Sequence, residues 1–242
     1  MAVYERRYVL CPVETAEFVG ELGSLLVPEV HEPSRPISYT RTTYLDTPDH
    51  EYLRSSLRGV ARRVRVRQYA SARGLHDTPL ITSPGYLELK ESFGASRLKR
   101  RLGMAPRVLA GVLSGKISLA EILGPESLPP LARLVGQLHR GELRPTLTTW
   151  YRRVSFLGRD DAVRVTIDRR IAFAAGEPVG EVGERGAPAR VLAAGPTRVL
   201  EVKCDGTPPA WLARALSGLR EAAWFTKYRC GMELLHQARL AA

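Results

Sequence analysis

In segment after segment of this chain, charged and apolar residues alternate with a period of two. In RRVRVRQY (62–69) the alternation puts Arg63, Arg65 and Arg67 on one face of a strand, with Val64 and Val66 on the other. Glu5 and Arg7 share a face in YERRYVL (4–10), as do Glu88 and Lys90 in YLELK (86–90) and Glu201 and Lys203 in VLEVK (199–203). Tyr151 and Arg153 repeat the spacing, as do Arg164, Thr166 and Asp168, and also Arg97, Lys99 and Arg101 if that stretch is extended. On one such stretch a solvated face would suffice. Seven solvated faces would mix Ser, Thr and Gln with charge, but here cations hold nearly every such position. If the strands curl until these faces meet, the charges line a lumen. Empty, a wall of cations repels itself and is costly to desolvate; filled by a multiply charged anion, it becomes favourable. The few carboxylates then have a use, holding a divalent cation against phosphate oxygens. Hard oxygen ligands on a basic wall suit Mg2+ or Mn2+ and argue against zinc.

The whole-chain balance agrees. Net charge is +11, which favours an anionic partner. Of the 36 basic residues, 31 are arginine; lysine occurs only at Lys90, Lys99, Lys116, Lys203 and Lys227. In a background that converts lysine to arginine, the retained lysines are worth locating, since a compact ammonium and a planar guanidinium do not always substitute; chance retention is the alternative. Cys11, Cys204 and Cys230 form no CxxC and cannot all pair, so free thiols and a cytoplasmic location are expected. The N-terminus lacks an apolar core of signal-peptide length, and no run reaches the ~18 apolar residues of a membrane span. The five histidines are scattered without ligand spacing.

The chain reads as one domain, 1–242. Strands are expected at 4–10, 37–47, 59–70, 85–92, 146–157, 162–173 and 197–205. Helices are expected at 13–26, through a mixed region to about 140, at 208–222 and near the end. Residues 176–190, rich in Gly and Pro, read as a surface loop. Residues 70–84 exceed a tight hairpin and have no assigned role. Trp150, Trp211 and Trp224 are expected in the core. The fold class is α+β, an antiparallel sheet of seven or eight strands that closes or folds over on itself.

Taken in order, YERRYVL, SYTRTTYLDT, RVRVRQY, YLELK, YRRVSF followed by VRVTID, VLEVK and FTKY resemble the VTC-type polyphosphate polymerase domain. That domain is a relative of the CYTH phosphatases among the triphosphate tunnel metalloenzymes. The resemblance implies an antiparallel eight-stranded β-tunnel with flanking helices and transfer of the ATP γ-phosphate to a growing polyphosphate chain, with Mn2+ or Mg2+ as cofactor. It implies phosphate-binding cations at Arg7, Arg65, Arg67, Lys90, Lys99, Arg153, Arg164, Lys203 and Lys227. Glu201 would be the metal carboxylate, and Glu5 and Glu88 either further ligands or counter-charges to the wall. Arg65, Arg67, Lys203 and Glu201 form the expected catalytic group. The hydrolytic relatives have ExExK on the first strand, where this chain has YERR with only Glu5, which tilts the expectation towards polymerase. An inorganic or nucleoside triphosphatase, and a non-catalytic polyphosphate-binding module, remain as alternatives. ATP and polyphosphate or triphosphate are the expected partners. Nucleic acid is not, because aromatic content is 7% with no stacking ribbon and a tunnel excludes duplexes. The missing membrane helices leave room for a membrane-protein partner.

Overall fold

The computed structural model describes residues 3–58, 60–93, 96–118, 135–137, 139–140, 142–159, 162–180, 183–196 and 198–240. In chain order the elements are β1 (Val3–Leu10), α1 (Pro12–Leu22), β2 (Leu26–Glu29), β3 (Ile37–Asp46), α2 (Glu51–Leu57), β4 (Val60–Ala72), β5 (Leu80–Ile81), β6 (Gly85–Phe93), β7 (Ser96–Met104) and α3 (Pro106–Leu113). There follow β8 (Arg144–Gly158), β9 (Val163–Ala175), β10 (Ala193–Ala194), β11 (Arg198–Asp205), α4 (Ala210–Leu216) and α5 (Lys227–Leu240).

Eight strands form one antiparallel path in the order β1-β11-β9-β8-β3-β4-β6-β7; β2, β5 and β10 attach to β8, β4 and β9. No ladder joins β1 to β7 among the described residues, so the sheet is curled without being sealed by backbone hydrogen bonds. The curl still brings its ends together, since side chains of β1, β4, β6 and β11 line one cavity.

The period-two pattern decides which way each face turns. On β4, Val64 and Val66 are buried in an apolar cluster with Leu87 and Leu89 of β6 and Leu109 and Val112 of α3. Helices α1 and α4 cover β1, β9 and β11 through Phe18, Leu22, Leu212 and Leu216 against Val165, Ile167 and Leu200. These apolar stripes thus face outward onto helices, and the charged stripes opposite them on β1, β4, β6 and β11 are left facing inward. A third cluster, with Phe173, Phe225 and Tyr228, packs β8 and β9 against the start of α5.

Several expectations are corrected. Helix α1 starts at Pro12, capped by Cys11 and Glu14, and stops at Leu22 because Leu26–Glu29 pairs with β8 as a strand. SRLKRRL is strand β7, paired with β6. Residues 176–190 are not a free surface loop. Arg41 Nη2 donates to Glu177 Oε2 at 2.7 Å, and Gln68 exchanges two hydrogen bonds with the Gly180 backbone at 2.6 and 3.1 Å. Outward-pointing Arg41 and Gln68 need partners, and this segment straps across β3 and β4 to supply them. Gly186 allows the close approach, since a Cβ there would lie 2.6 Å from Ala70 Cβ. In the 70–84 stretch, β4 runs on to Ala72 and β5 pairs back with Ala70 and Ser71. Trp150 is buried as expected, but Trp224 is 59% exposed. The helices expected between 118 and 140 lie largely outside the described residues.

A cation-lined lumen as candidate functional site

The inward stripes meet in two adjoining cavities of about 120 and 210 Å³. The first is lined by Glu5, Arg7, Arg63, Arg65, Lys90 and Lys227, among others; the second by Glu88, Lys99, Arg101 and Arg164, among others. Arg67, Arg153, Glu201 and Lys203 belong to both, and so mark the middle of the lumen. A larger cavity, about 650 Å³, lies on the outer face beside α3, but its walls are mainly apolar (Leu45, Val66, Ile117) and offer little to a polyanion.

Register explains the placement. Glu5 stands opposite Lys203 and Arg7 opposite Glu201, because β1 and β11 are antiparallel and both read Glu-x-cation. Lys203 Nζ lies 3.0 Å from Glu201 Oε1 and 3.9 Å from Glu5 Oε2; Arg7 contacts both carboxylates too. Arg65 stands opposite Glu88 and donates to it at 2.6 Å, and Arg101 approaches the same carboxylate at 3.3 Å. Arg153 forks onto Asp168 at 2.7 and 2.8 Å, and Lys227 reaches Asp168 at 2.5 Å. Arg164 is held by Glu29 of β2 at 2.6 Å, nearer the exterior. No carboxylate comes within ion-pair distance of Arg63, Arg67 or Lys90 among the described residues; Arg67 meets only Thr42 Oγ1, at 3.4 Å.

The charges leave their mark on protonation. Burial would raise the Glu201 carboxyl, but Lys203, Arg7, Lys227 and Arg153 override it and hold Glu201 well below the usual carboxylate range. Burial lowers the Lys90 ammonium; Glu5 opposes this, while Arg63, Lys203 and Arg7 reinforce it, and the result is about 8. Burial also lowers Arg63, with Arg7 and Arg65 adding to the effect against Tyr44 and Glu5. Burial would raise the Tyr151 hydroxyl, but Arg153, Arg67 and Lys227 pull it down. Burial would lower Arg153 and Lys227 too, but Asp168 and Tyr151 raise both, and Tyr151 and Glu88 raise Arg67. Positive charge is therefore uncompensated locally, at Lys90 and Arg63, and compensated around Asp168.

Every site residue expected from the sequence faces this lumen or its rim, but they divide into groups. Glu5 and Glu201 lie together; Glu88 sits apart, between Arg65 and Arg101. No three acidic, histidine or cysteine side chains gather as a ready-made metal site among the described residues. Two hard carboxylates, one strongly ionised, still suit a divalent cation whose remaining ligands are phosphate oxygens and water. Asp168, on the face it shares with Arg164 and Thr166, is the ion-pair partner of Arg153 and Lys227. Sequence reasoning did not assign roles to Arg63, Arg101, Tyr69 or Tyr151. Arg63 carried a signal, being the first arginine of the same alternating run. Arg101 did too, two residues beyond Lys99; it stacks 3.6 Å over the Tyr86 ring.

Asp46 accepts from the backbone of Thr47, Tyr52 and Leu53 and, at 2.5 Å, from the Tyr228 hydroxyl, while Tyr44 stacks on Tyr228 at 4.7 Å. This knot fixes the first turn of α5 and with it Lys227, whose ammonium sits 4.6 Å over the Tyr151 ring. FTKY is thereby packed into the lumen wall. The N-terminal end of α5 also adds its partial positive charge to the lumen.

A curled antiparallel sheet whose inner wall concentrates cations defines a protein of the cation-lined β-tunnel class. Comparison with known families agrees: the VTC domain model matches residues 3–236, and the chain belongs to the VTC domain family. No curated protein matches the chain. Among solved structures, a Bacillus halodurans protein described as a candidate adenylate cyclase is 13% identical, with TM-score 0.47, covering 99% of this chain and 92% of its own. A Hippeastrum protein described as a candidate adenylyl cyclase with a dominant triphosphatase activity is 14% identical, with TM-score 0.46, covering 90% and 85%.

Proposed function

We propose that this protein is a polyphosphate polymerase that moves the ATP γ-phosphoryl group to the end of a polyphosphate chain. The observation that carries this reading is the pair of cavities meeting at Arg67, Arg153, Glu201 and Lys203. A triphosphate entering from one side brings its terminal phosphate to the shared cations, and an acceptor chain has a second compartment to occupy. In the reaction, a terminal oxygen of the acceptor attacks Pγ in line, the bond from Pγ to the β–γ bridging oxygen breaks, and ADP leaves with that oxygen. A loose transition state of this kind needs positioning and charge neutralisation, with no protein nucleophile. Arg67, Arg153 and Lys203 would spread the charge over the phosphate oxygens, and Lys227 and Arg63 would hold the flanking phosphates. Glu201 and Glu5 would hold Mn2+ or Mg2+, which when bound supplies further neutralisation of the terminal phosphates.

Incubation of the purified protein with ATP and Mn2+, followed by gel electrophoresis of the products, tests the proposal. A ladder of polyphosphate together with ADP is the expected result. Orthophosphate without a ladder would make water the acceptor and the protein a triphosphatase. Tight polyphosphate binding without turnover would leave a binding module.

A further inference from the structure

The outer face of the sheet carries a second concentration of positive charge, which the lumen does not use. Arg152 on β8 is the direct cross-strand partner of Arg169 on β9, and Arg169 is the direct partner of Arg198 on β11. Residues so placed have Cβ atoms about 4.5–5.5 Å apart, and like charges there are destabilising. All three arginines are half-buried. Among the described residues, the Nε atoms of Arg169 and Arg198 are buried with no hydrogen-bond partner. The charged groups among them that act on Arg169 are Arg198 and Arg152, neither a carboxylate. Arg41 makes the contrast, since it lies on the same outer face and is met by Glu177. Where this fold uses an outward arginine structurally, it provides the counter-ion.

The backbone marks the same place. Between the Trp150–Ala172 pair and the Arg152–Arg169 pair, β9 holds one residue more than β8. Arg170 occupies that bulge in the left-handed region, at φ 52°, and is exposed. A bulge re-aims neighbouring side chains, and left-handed backbone at a residue other than glycine is uncommon enough to need a reason. The row also begins where the helix-covered surface ends: Arg169 and Arg198 lie two residues beyond Ile167 and Leu200, which are buried under α1 and α4.

We propose that Arg152, Arg169 and Arg198 form a second anion site, outside the tunnel, for a phosphate-type oxyanion. Guanidinium forks match phosphate oxygens two at a time, and the orphaned Nε donors of Arg169 and Arg198 are the groups such an anion would satisfy. The site does not depend on what the lumen catalyses.

Calorimetric titration with inorganic pyrophosphate is the test. The unaltered protein is expected to take two equivalents, one in the lumen and one at the outer row. Arg169→Met and, separately, Arg198→Met are each expected to take one equivalent and to keep the parent's activity on ATP. Each is also expected to melt at the parent's temperature or higher, because a like charge is gone. One equivalent in the unaltered protein overturns the site, as do two equivalents in both variants. Variants that melt lower than the parent also overturn it, since the row would then be structural. Co-sedimentation with phosphatidylcholine vesicles containing phosphatidic acid separates the sources of the anion. Retention that both variants lose assigns a lipid headgroup. Pyrophosphate binding without retention assigns a free phosphate.

Discussion

At the scale of single residues, the lumen contains two kinds of cation. Arg65 and Arg153 are matched by Glu88 and Asp168, whereas Arg63 and Lys90 have no such match among the described residues. Lys90 therefore predicts a pH dependence. Its ammonium titrates near 8 in the folded protein, below the ordinary lysine value of 10.5. Between those values the unfolded chain binds the extra proton, so this group's contribution to stability rises with pH across that window. Below about pH 8 the penalty of the buried charge is fully present. Phosphate binding has the opposite sense, because the charged form binds the anion better. The dissociation constant of tripolyphosphate is expected to rise as pH passes from 7 to 9. Lys90→Met should lose the part of that rise not due to the ligand's own titration, and an unchanged pH profile in Lys90→Met would remove Lys90 from the site. For Glu201→Gln, near-isosteric but uncharged, turnover with Mn2+ is expected to fall at least ~100-fold, the scale of a lost metal ligand. Activity within about threefold of the parent, against roughly 1 kcal/mol or less of transition-state loss, would remove Glu201 from the proposed metal site.

At the scale of elements, the knot at Asp46 couples the end of β3, the start of α2 and the first turn of α5. Four donors converge on one fully buried carboxylate. Tyr228→Phe removes one of them and is expected to cost about 1–3 kcal/mol, the range for hydrogen bonds to charged groups. For a chain of this size that lowers the melting temperature by roughly 2–12 °C. Lys227 is next in sequence, so the same variant should also weaken tripolyphosphate binding, although Tyr228 Oη meets Asp46 and Thr146 and lies outside the phosphate-binding set. A variant that melts lower but binds tripolyphosphate like the parent would confine the knot to stability. The strap of residues 176–190 follows the same logic, fixed by Arg41 and Gln68 reaching out from β3 and β4.

Considered as a whole molecule, the empty tunnel carries an excess of positive charge that its ligand relieves. Tripolyphosphate binds only the folded lumen, so at a hundredfold excess over its dissociation constant it is expected to add about 2.7 kcal/mol of stability. Differential scanning fluorimetry should read this as a rise of roughly 5–11 °C. Two lumen arginines are expected to differ when the tunnel is empty. Arg63→Met should leave the melting temperature unchanged or raise it, because burial and its neighbours Arg7 and Arg65 already disfavour that charge. Arg65→Ala should lower it, because buried Glu88 loses its 2.6 Å partner. Both should shrink the ligand-induced shift, and exposed Arg214→Ala should not. Equal responses from Arg63→Met and Arg214→Ala would refute the tunnel reading.

The sequence alone determined the seven long alternating strands and the face each of their charges occupies, because a period of two is a local property of the backbone; the short strands β2, β5 and β10 carry too few residues to show it. Arg63-x-Arg65-x-Arg67 and the repeated Glu-x-cation strands could face only one way once Val64, Leu89 and Val202 were placed on a core. It also marked five lysines, of which Lys90, Lys99, Lys203 and Lys227 lie at the lumen and Lys116 beside the outer cavity at α3. It could not show which charges neutralise which, because pairing depends on register between strands far apart in the chain. Glu88 went to Arg65 and Arg101 and so left the Glu5–Glu201 pair; Glu29, on a strand just past the expected helix 13–26, went to Arg164. The Arg152–Arg169–Arg198 row was equally hidden, since its members come from three strands and meet only through antiparallel pairing and one bulge. Local periodicity sets the face of a side chain, and the tertiary fold sets its neighbours.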